Sequence, residues 1–333
     1  MRAWVVDRPG PISSGPVVEA SLPEPEPGPG EVRIRVEACG VCRTDLHLAL
    51  GELAPRRPRT VPGHEVVGVV DALGERAGRF ALGDRVGIAW LRGTCGRCRF
   101  CRTGRENLCP DAVFTGWDAD GGYAKYAVAP EAYAYRLPDG VDPVDLAPLL
   151  CAGIVGYRAL KRAELPPGGR LGIYGFGASA HVVAQVAIAQ GARVHVLTRS
   201  GAARALAREL GAESAGPADG GPPEPLDSAV LFAPAGELVP VAMRALDAGG
   251  TLAVAGIHLS DVPGLEYETE LFRERQLRSV TANTRADGEE FLRLAGALRI
   301  RPTVDRRPLA LADRALADLA ADRITGAAVL VPG

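Results

Sequence analysis

The sequence predicts an α/β protein, with a doubly wound parallel sheet and a mainly β domain that carries a zinc-binding lobe. Three observations predict it. From Leu171 onward, short apolar runs alternate with helical stretches, the order that produces parallel strands with crossover helices. At the first strand-to-helix junction of that pattern lies a glycine turn, Gly175-Phe176-Gly177-Ala178-Ser179-Ala180, which fits G-x-G-x-x-G/A. Ahead of both, Cys95, Cys98, Cys101 and Cys109 form C-x2-C-x2-C-x7-C, and four cysteines at such spacing close around one structural zinc. The parallel half is thus expected to be of the Rossmann type.

At 333 residues the chain is too long for one ordinary core, and two domains are expected. Residues 1–146 are rich in strands and turns, with the metal lobe at 90–112. Val32–Val36 alternates as a half-buried strand and Val66–Val70 reads as a buried one. Pro23–Gly30, PEPEPGPG, is a stiff polar turn. Residues 147–284 hold the parallel sheet: strands at Leu171–Tyr174, Val194–Thr198, Ala229–Phe232 and Thr251–Ala255, with helices at Ala178–Gln190, Ala202–Leu210 and Leu238–Leu246. Ala215–Leu226, full of Gly and Pro, is expected to be a surface connection. Residues 285–333 bring a helix at Glu289–Leu298 and an apolar run Ala327–Val331 expected to return to the first domain.

Composition limits the function classes. A hydrophobic fraction of 47% with 23% charged residues is that of a globular chain. A net charge of −2 and a pI near 6.3 offer no general attraction for nucleic acid or an anionic membrane. The start, MRAWVVDRPG, lacks the charged and apolar regions of a secretory signal. A cytoplasmic location is expected, where clustered cysteines serve as metal ligands more often than as disulfides.

A second donor set is spread along the chain: Cys42, His64 and Cys151, with Glu65 beside His64. Three protein ligands leave a zinc one open position for water or substrate, whereas four close it. The pair Cys39-x-x-Cys42 could suggest a redox dithiol, but it lacks the βαβ context of one; Cys39 is expected to be a small buried residue. The glycine turn would bring backbone amides against a pyrophosphate at a helix N-terminus. At the end of the second strand, Thr198, Arg199 and Ser200 stand where a carboxylate would grip the ribose of NAD. They could hydrogen-bond a 2′-phosphate, which favours NADP over NAD; alternatively Arg199 faces solvent or stacks on adenine.

With these residues in hand, the chain resembles the zinc-dependent alcohol dehydrogenases of the medium-chain dehydrogenase/reductase superfamily. Gly63-His64-Glu65-Val66-Val67-Gly68 with Gly74 and Ala77, and Cys39-Gly-Val-Cys42-Arg43-Thr44-Asp45-Leu46-His47, match its zinc motifs, and the likeness runs over essentially the whole chain. The resemblance implies a GroES-like catalytic domain and two zinc ions per chain. It makes Cys42, His64 and Cys151 the catalytic zinc ligands, Glu65 a carboxylate that can approach the metal, and Asp45 the acceptor for the second ring nitrogen of His64. It also implies that Thr44 hydrogen-bonds the substrate hydroxyl, that His47 continues the proton path, and that Arg43 contacts the cofactor pyrophosphate. Trp90 would be a pocket wall, while Leu53 stands where members acting on very small alcohols often carry a second tryptophan. Ala327 replaces an arginine that often contacts the pyrophosphate.

The implied activity is hydride transfer between an alcohol and NAD(P), or the reverse with an aldehyde or ketone. The implied assembly is a homodimer or homotetramer formed through the dinucleotide-binding sheets. Other zinc dehydrogenases of the superfamily, of polyol or threonine type, and a non-catalytic zinc- and dinucleotide-binding protein are the competing readings. Cys151 disfavours the polyol type, where glutamate is common at that position. Thr44 and His47 disfavour a pure binding protein, which needs no proton relay.

Overall fold

The structure, a computed structural model, describes residues Met1 to Gly333, which divide into two compact units. The first comprises Met1–Cys151, Ala282–Arg293 and Pro302–Gly333; the second comprises Ala152–Thr281 and Leu294–Arg301.

The first unit opens with β1 (Arg2–Val6) and β2 (Val17–Ser21), an antiparallel pair. β3 (Glu31–Val41) is its central strand and runs straight into α1 (Arg43–Leu50). β4 (Val66–Leu73) and β5 (Arg85–Ile88) extend the sheet. β6 (Leu91–Gly93), α2 (Arg99–Arg102) and β7 (Val113–Phe114) form the cysteine lobe. β8 (Tyr126–Pro130), β9 (Ala134–Arg136) and α3 (Pro143–Leu146) complete this stretch.

Val32, Ile34 and Val36 on β3, with Val66 and Val70 on β4, are buried in one core. β-Branched side chains suit such a pleated, packed surface. Two register shifts between β3 and β4, at Arg33/Ile34 and Val36/Ala38, mark irregularities in the pairing that leads to Cys42.

The second unit begins with α4 (Ala152–Ala163) and builds its sheet from β10 (Arg170–Tyr174), β11 (Arg193–Leu197), β12 (Ser214–Gly216), β13 (Leu226–Leu231), β14 (Leu246–Val254) and β15 (Gln276–Ser279). The helices α5 (Ala178–Ala189), α6 (Gly201–Glu209) and α7 (Leu238–Ala245) connect them. All neighbours are parallel, in the order β12-β11-β10-β13-β14-β15. Right-handed crossovers put α5 and α6 on one face of that order and α7 on the other. This is the doubly wound sheet that the alternation of runs predicts. Ser214–Gly216, expected within or beside a surface connection, instead adds a short strand at the β11 edge.

The chain then forms α8 (Arg285–Leu298), β16 (Val304–Pro308), α9 (Ala312–Ala320) and β17 (Ala327–Val331). β17 pairs antiparallel with β3, opposing Leu330 to Cys39 and Ala328 to Val41. In the first unit's larger sheet the order is β16-β17-β3-β4-β5-β9, with β8 also paired to β3. No single helix is long and apolar enough to cross a membrane.

Candidate metal and active site

The site is assembled where β3 ends. Cys42, extended at φ −110° and ψ 157°, caps α1, and its N–H donates to Asp45 Oδ2 at 3.0 Å. Asp45 is only 2% exposed, so its carboxylate must find partners inside. Its Oδ1 accepts from Gly63 N at 2.9 Å and lies 3.1 Å from His64 Nδ1. Tyr123, fully buried, brings its hydroxyl to 3.5 Å from Asp45 Oδ2. One carboxylate therefore ties the start of α1 to the Gly63-His64 turn.

Gly63 is required in that turn. Its φ is +98°, and a Cβ there would lie 2.4 Å from the Tyr123 ring.

A carboxylate can only accept, so Nδ1 of His64 carries a hydrogen and Nε2 is the nitrogen whose lone pair a metal takes once any proton on it is displaced. Nε2 is buried without a hydrogen-bond partner. One donor atom from each of Cys42, His64, Glu65 and Cys151 lies within 4.8 Å of every other. The sulfurs of Cys42 and Cys151 are 4.0 Å apart, close to the roughly 3.8 Å expected of two thiolates each 2.3 Å from a tetrahedral zinc. The orphaned imidazole nitrogen and the mixed N, S and O donors fit that ion.

The three donors hold their protons unequally. The hydrogen bond with Cys151 holds the Cys42 thiol well below its ordinary pKa, against burial and with help from His64. The same bond, with burial, pushes Cys151 well up. Burial opposes charge on His64, yet Asp45 and Cys42 raise its pKa well above the usual value. Metal binding to such a set displaces protons.

Cys95, Cys98, Cys101 and Cys109 form a second cluster within the same 4.8 Å limit. Their sulfurs approach to 3.5 Å (Cys98–Cys101) and 3.6 Å (Cys95–Cys109). The backbone N–H groups of Cys95, Cys98 and Cys101 point at sulfurs, which suits thiolates. Glu106, in the turn before Cys109, receives Arg285 through its backbone N–H at 2.8 Å and its guanidinium at 2.7 Å. That anchor joins the lobe to the start of α8, and the sequence gives no sign of it.

Thr44 lies in the first turn of α1, with Cys42 Sγ 3.7 Å from its hydroxyl oxygen. His47, one turn further, pairs through Nδ1 with Glu52, a partner that the motif does not reveal. Arg43 pairs with Asp322. Trp90 meets His64 edge-on, with ring centroids 5.0 Å apart. It stacks on Phe114 at 4.8 Å and on Trp117 at 6.0 Å. Leu53 packs at the margin of the main core. The second tryptophan of this wall is Trp117, which comes from outside both motifs.

In the second unit Gly175 follows β10 at φ +84°, and a Cβ there would lie 2.8 Å from Ala233 N. Gly177 caps α5, and a Cβ on it would meet nothing within 4 Å. The amides of Ala178, Ser179 and Ala180 thus open a helix beside free space, where an anion is favoured. Thr198 is buried at the end of β11, while Arg199 and Ser200 are exposed. Ser200 Oγ accepts from Ala203 N at 3.2 Å, which leaves its own hydrogen to donate. Arg204, absent from the sequence expectation, donates to the carbonyls of Thr198 (2.8 Å) and Arg199 (3.0 Å).

Residues 28–139 match the alcohol dehydrogenase GroES-like domain family. The chain is 59% identical over 336 residues to a protein named probable alcohol dehydrogenase AdhA of Mycobacterium tuberculosis (strain CDC 1551 / Oshkosh), covering 99% of this chain and 97% of that one. A solved NAD-dependent alcohol dehydrogenase superposes with a TM-score of 0.89 at 27% identity, covering 100% of both chains. A cobalt- and zinc-bound thermostable alcohol dehydrogenase from Pyrobaculum aerophilum gives a TM-score of 0.88 at 27% identity, covering 100% of this chain and 99% of that one.

Proposed function

The chain belongs to the zinc-dependent alcohol dehydrogenases of the medium-chain dehydrogenase/reductase superfamily, and from that premise we propose which of its residues perform the reaction. The protein is an oxidoreductase that transfers hydride between a primary or secondary alcohol and NAD(P), with the aldehyde or ketone as the other partner. The observation that carries the residue assignment is the unpartnered Nε2 of His64 amid the donors of Cys42, Glu65 and Cys151.

Cys42, His64 and Cys151 hold the catalytic zinc, and Glu65 stands beside them as a carboxylate for ligand exchange. Cys95, Cys98, Cys101 and Cys109 hold a second, structural zinc, making two per chain. When bound, the catalytic zinc supplies Lewis acidity at the substrate oxygen and the nicotinamide carries the hydride. Asp45 keeps the hydrogen of His64 on Nδ1, which fixes ring orientation and tautomer. The Thr44 hydroxyl accepts a hydrogen bond from the alcohol and passes the proton toward His47, whose Nδ1 is steadied by Glu52. Trp90, stacked with Phe114 and Trp117, forms an apolar wall beside His64. It excludes water and suits a medium-sized aliphatic or aromatic alcohol.

Gly175, Gly177, Ala178, Ser179 and Ala180 take the cofactor pyrophosphate in this reading, with Arg43 as a further contact. NADP is preferred to NAD. The exposed Arg199 and Ser200, and the absence of a carboxylate at the end of β11, support that choice. Assembly as a homodimer or homotetramer is supported by β15, an edge strand with the exposed Leu277. Seven unbridged cysteines support a reducing, cytoplasmic setting.

The test is a screen of alcohols and aldehydes with NADP and NAD, read by nicotinamide absorbance, on wild type and Cys42→Ser. The reading requires activity in the wild type, faster with NADP, and none above background in the variant. Equal activity in both proteins refutes the assignment of Cys42.

A further inference from the structure

We propose that Arg56 is a positioning residue for substrate choice: it clamps Trp117 into the aromatic wall beside the metal donors, and the clamped wall favours flat aromatic alcohols over aliphatic ones. The proposal rests on the alcohol oxidation argued above and names the substrate class that the wall selects.

The wall is a row of flat groups leading outward from a metal donor. Trp90 meets the His64 ring edge-on at 5.0 Å, and Trp117 lies nearly parallel to Trp90, 9° apart with centroids at 6.0 Å. Over Trp117 lies the Arg56 guanidinium, its Cζ 3.7 Å from the ring centroid. Trp90, Phe114 and Trp117 are each only partly buried, so ring surface remains for a bound molecule.

Trp117 is held by three contacts. Its Nε1–H donates to Ala54 O at 2.8 Å, Phe114 packs beside it at 5.8 Å, and Arg56 covers a face. Arg56 is oriented in turn by Asp118, the next residue after Trp117. Nη1 of Arg56 donates to Asp118 Oδ1 at 2.7 Å, while Asp118 Oδ2 accepts from Phe114 N at 2.8 Å. The Asp118 side chain is 14% exposed against 47% for Arg56, so the carboxylate is the fixed member of the pair. A planar guanidinium can stack on a ring and bond a carboxylate together, which a lysine ammonium does less well.

The loop that carries Trp117 also rests on the metal-ligand turn. Thr115 N donates to Trp90 O at 2.9 Å. Gly116, at φ +79°, passes so near that a Cβ on it would lie 3.2 Å from Gly63 N. On the other side, the stretch that supplies Ala54 and Arg56 begins with Glu52, the partner of His47. One short segment thus steadies both the relay histidine and the wall. Contacts between aromatic rings depend on their relative orientation, so a ring substrate needs Trp117 fixed. An alkyl chain makes non-directional contacts and tolerates a loosened ring.

Steady-state oxidation of benzyl alcohol and 1-butanol, in wild type, Arg56→Ala and Arg56→Lys, tests the selection. Arg56→Ala is expected to raise KM for benzyl alcohol relative to 1-butanol by roughly 3- to 10-fold, the effect of a lost cation–π contact, with kcat changing less than KM. Arg56→Lys should recover part of that ratio. Acrylamide quenching of tryptophan emission reads the clamp without turnover: it should increase in Arg56→Ala, and the increase should vanish when the substitution is made in a Trp117→Phe background. Unchanged quenching overturns the clamp, and equal KM changes for the two alcohols overturn the selection. Wild type that oxidises neither alcohol counts against the activity reading instead, and the quenching result alone then upholds or overturns the clamp.

Discussion

Asp45 Oδ1 lies 3.1 Å from His64 Nδ1, and both side chains are almost wholly buried. The pair decides which nitrogen of His64 is free, because the carboxylate can only accept. Asp45→Asn removes the charge that raises the His64 pKa and is expected to weaken zinc binding by ~10–100-fold, the usual cost of losing such a partner. Competition with a chromogenic chelator measures it. Tyr123→Phe, which deletes only the 3.5 Å contact to Asp45, is expected to have a smaller effect in the same direction.

Thr44→Ala is expected to lower kcat while leaving zinc content and cofactor affinity largely intact, because it removes a hydroxyl that acts on the reacting oxygen. Thr44→Ser should restore most of the activity. Steady-state kinetics across pH tests this, and undiminished turnover in Thr44→Ala would reduce Thr44 to a helix-turn hydroxyl.

The Glu106–Arg285 anchor predicts a pH-dependent stability. Burial opposes ionisation of Glu106, but the hydrogen bonds from Arg285 outweigh it and hold the carboxyl below its ordinary value. A folded pKa below the unfolded one, about 4.3, contributes stability that is present above that pH. It is lost as pH falls through the folded value. Thermal melts should therefore show wild type above Glu106→Gln at neutral pH, with the gap closing as acid is added through the carboxylate range. A gap independent of pH would mean that the ionised form is not what holds the lobe.

Cofactor choice is tested at the end of β11. Arg199→Ala is expected to weaken NADP by roughly ten- to a hundredfold more than NAD, the effect of a charge-assisted hydrogen bond of about 1.5–3 kcal/mol. Thr198→Asp should go further by repelling the 2′-phosphate. Equal losses for both cofactors, by fluorescence titration, would show that Arg199 does not read the phosphate.

What the sequence reveals follows from what is local. The cysteine spacing in the lobe and the glycine turn at 175–180 are short motifs, so their chemistry is legible before any fold is known. The short apolar runs at β10, β11 and β13 are largely buried and alternate with helices, and they are legible for that reason. β12 and β15 are short edge strands, SAG and QLRS, whose pairing comes from a neighbour rather than from their own pattern. Trp117, Tyr123, Glu106 and Arg204 matter through partners brought by tertiary structure or helix geometry, and no motif marks them. Trp117 lies 27 residues beyond Trp90 in the chain, yet their rings stack almost parallel, 9° apart.

The central claim is that an open zinc site built by Cys42, His64 and Cys151 performs the reaction, beside a closed site that only holds the fold. Zinc content and alcohol oxidation measured together on purified wild type and Cys42→Ser test it most directly. The account predicts two zincs per chain in the active wild type. For Cys42→Ser it predicts a folded, inactive protein that keeps the lobe zinc and loses most of the other. A fully active Cys42→Ser retaining both ions, or an active wild type with one zinc per chain, would contradict it.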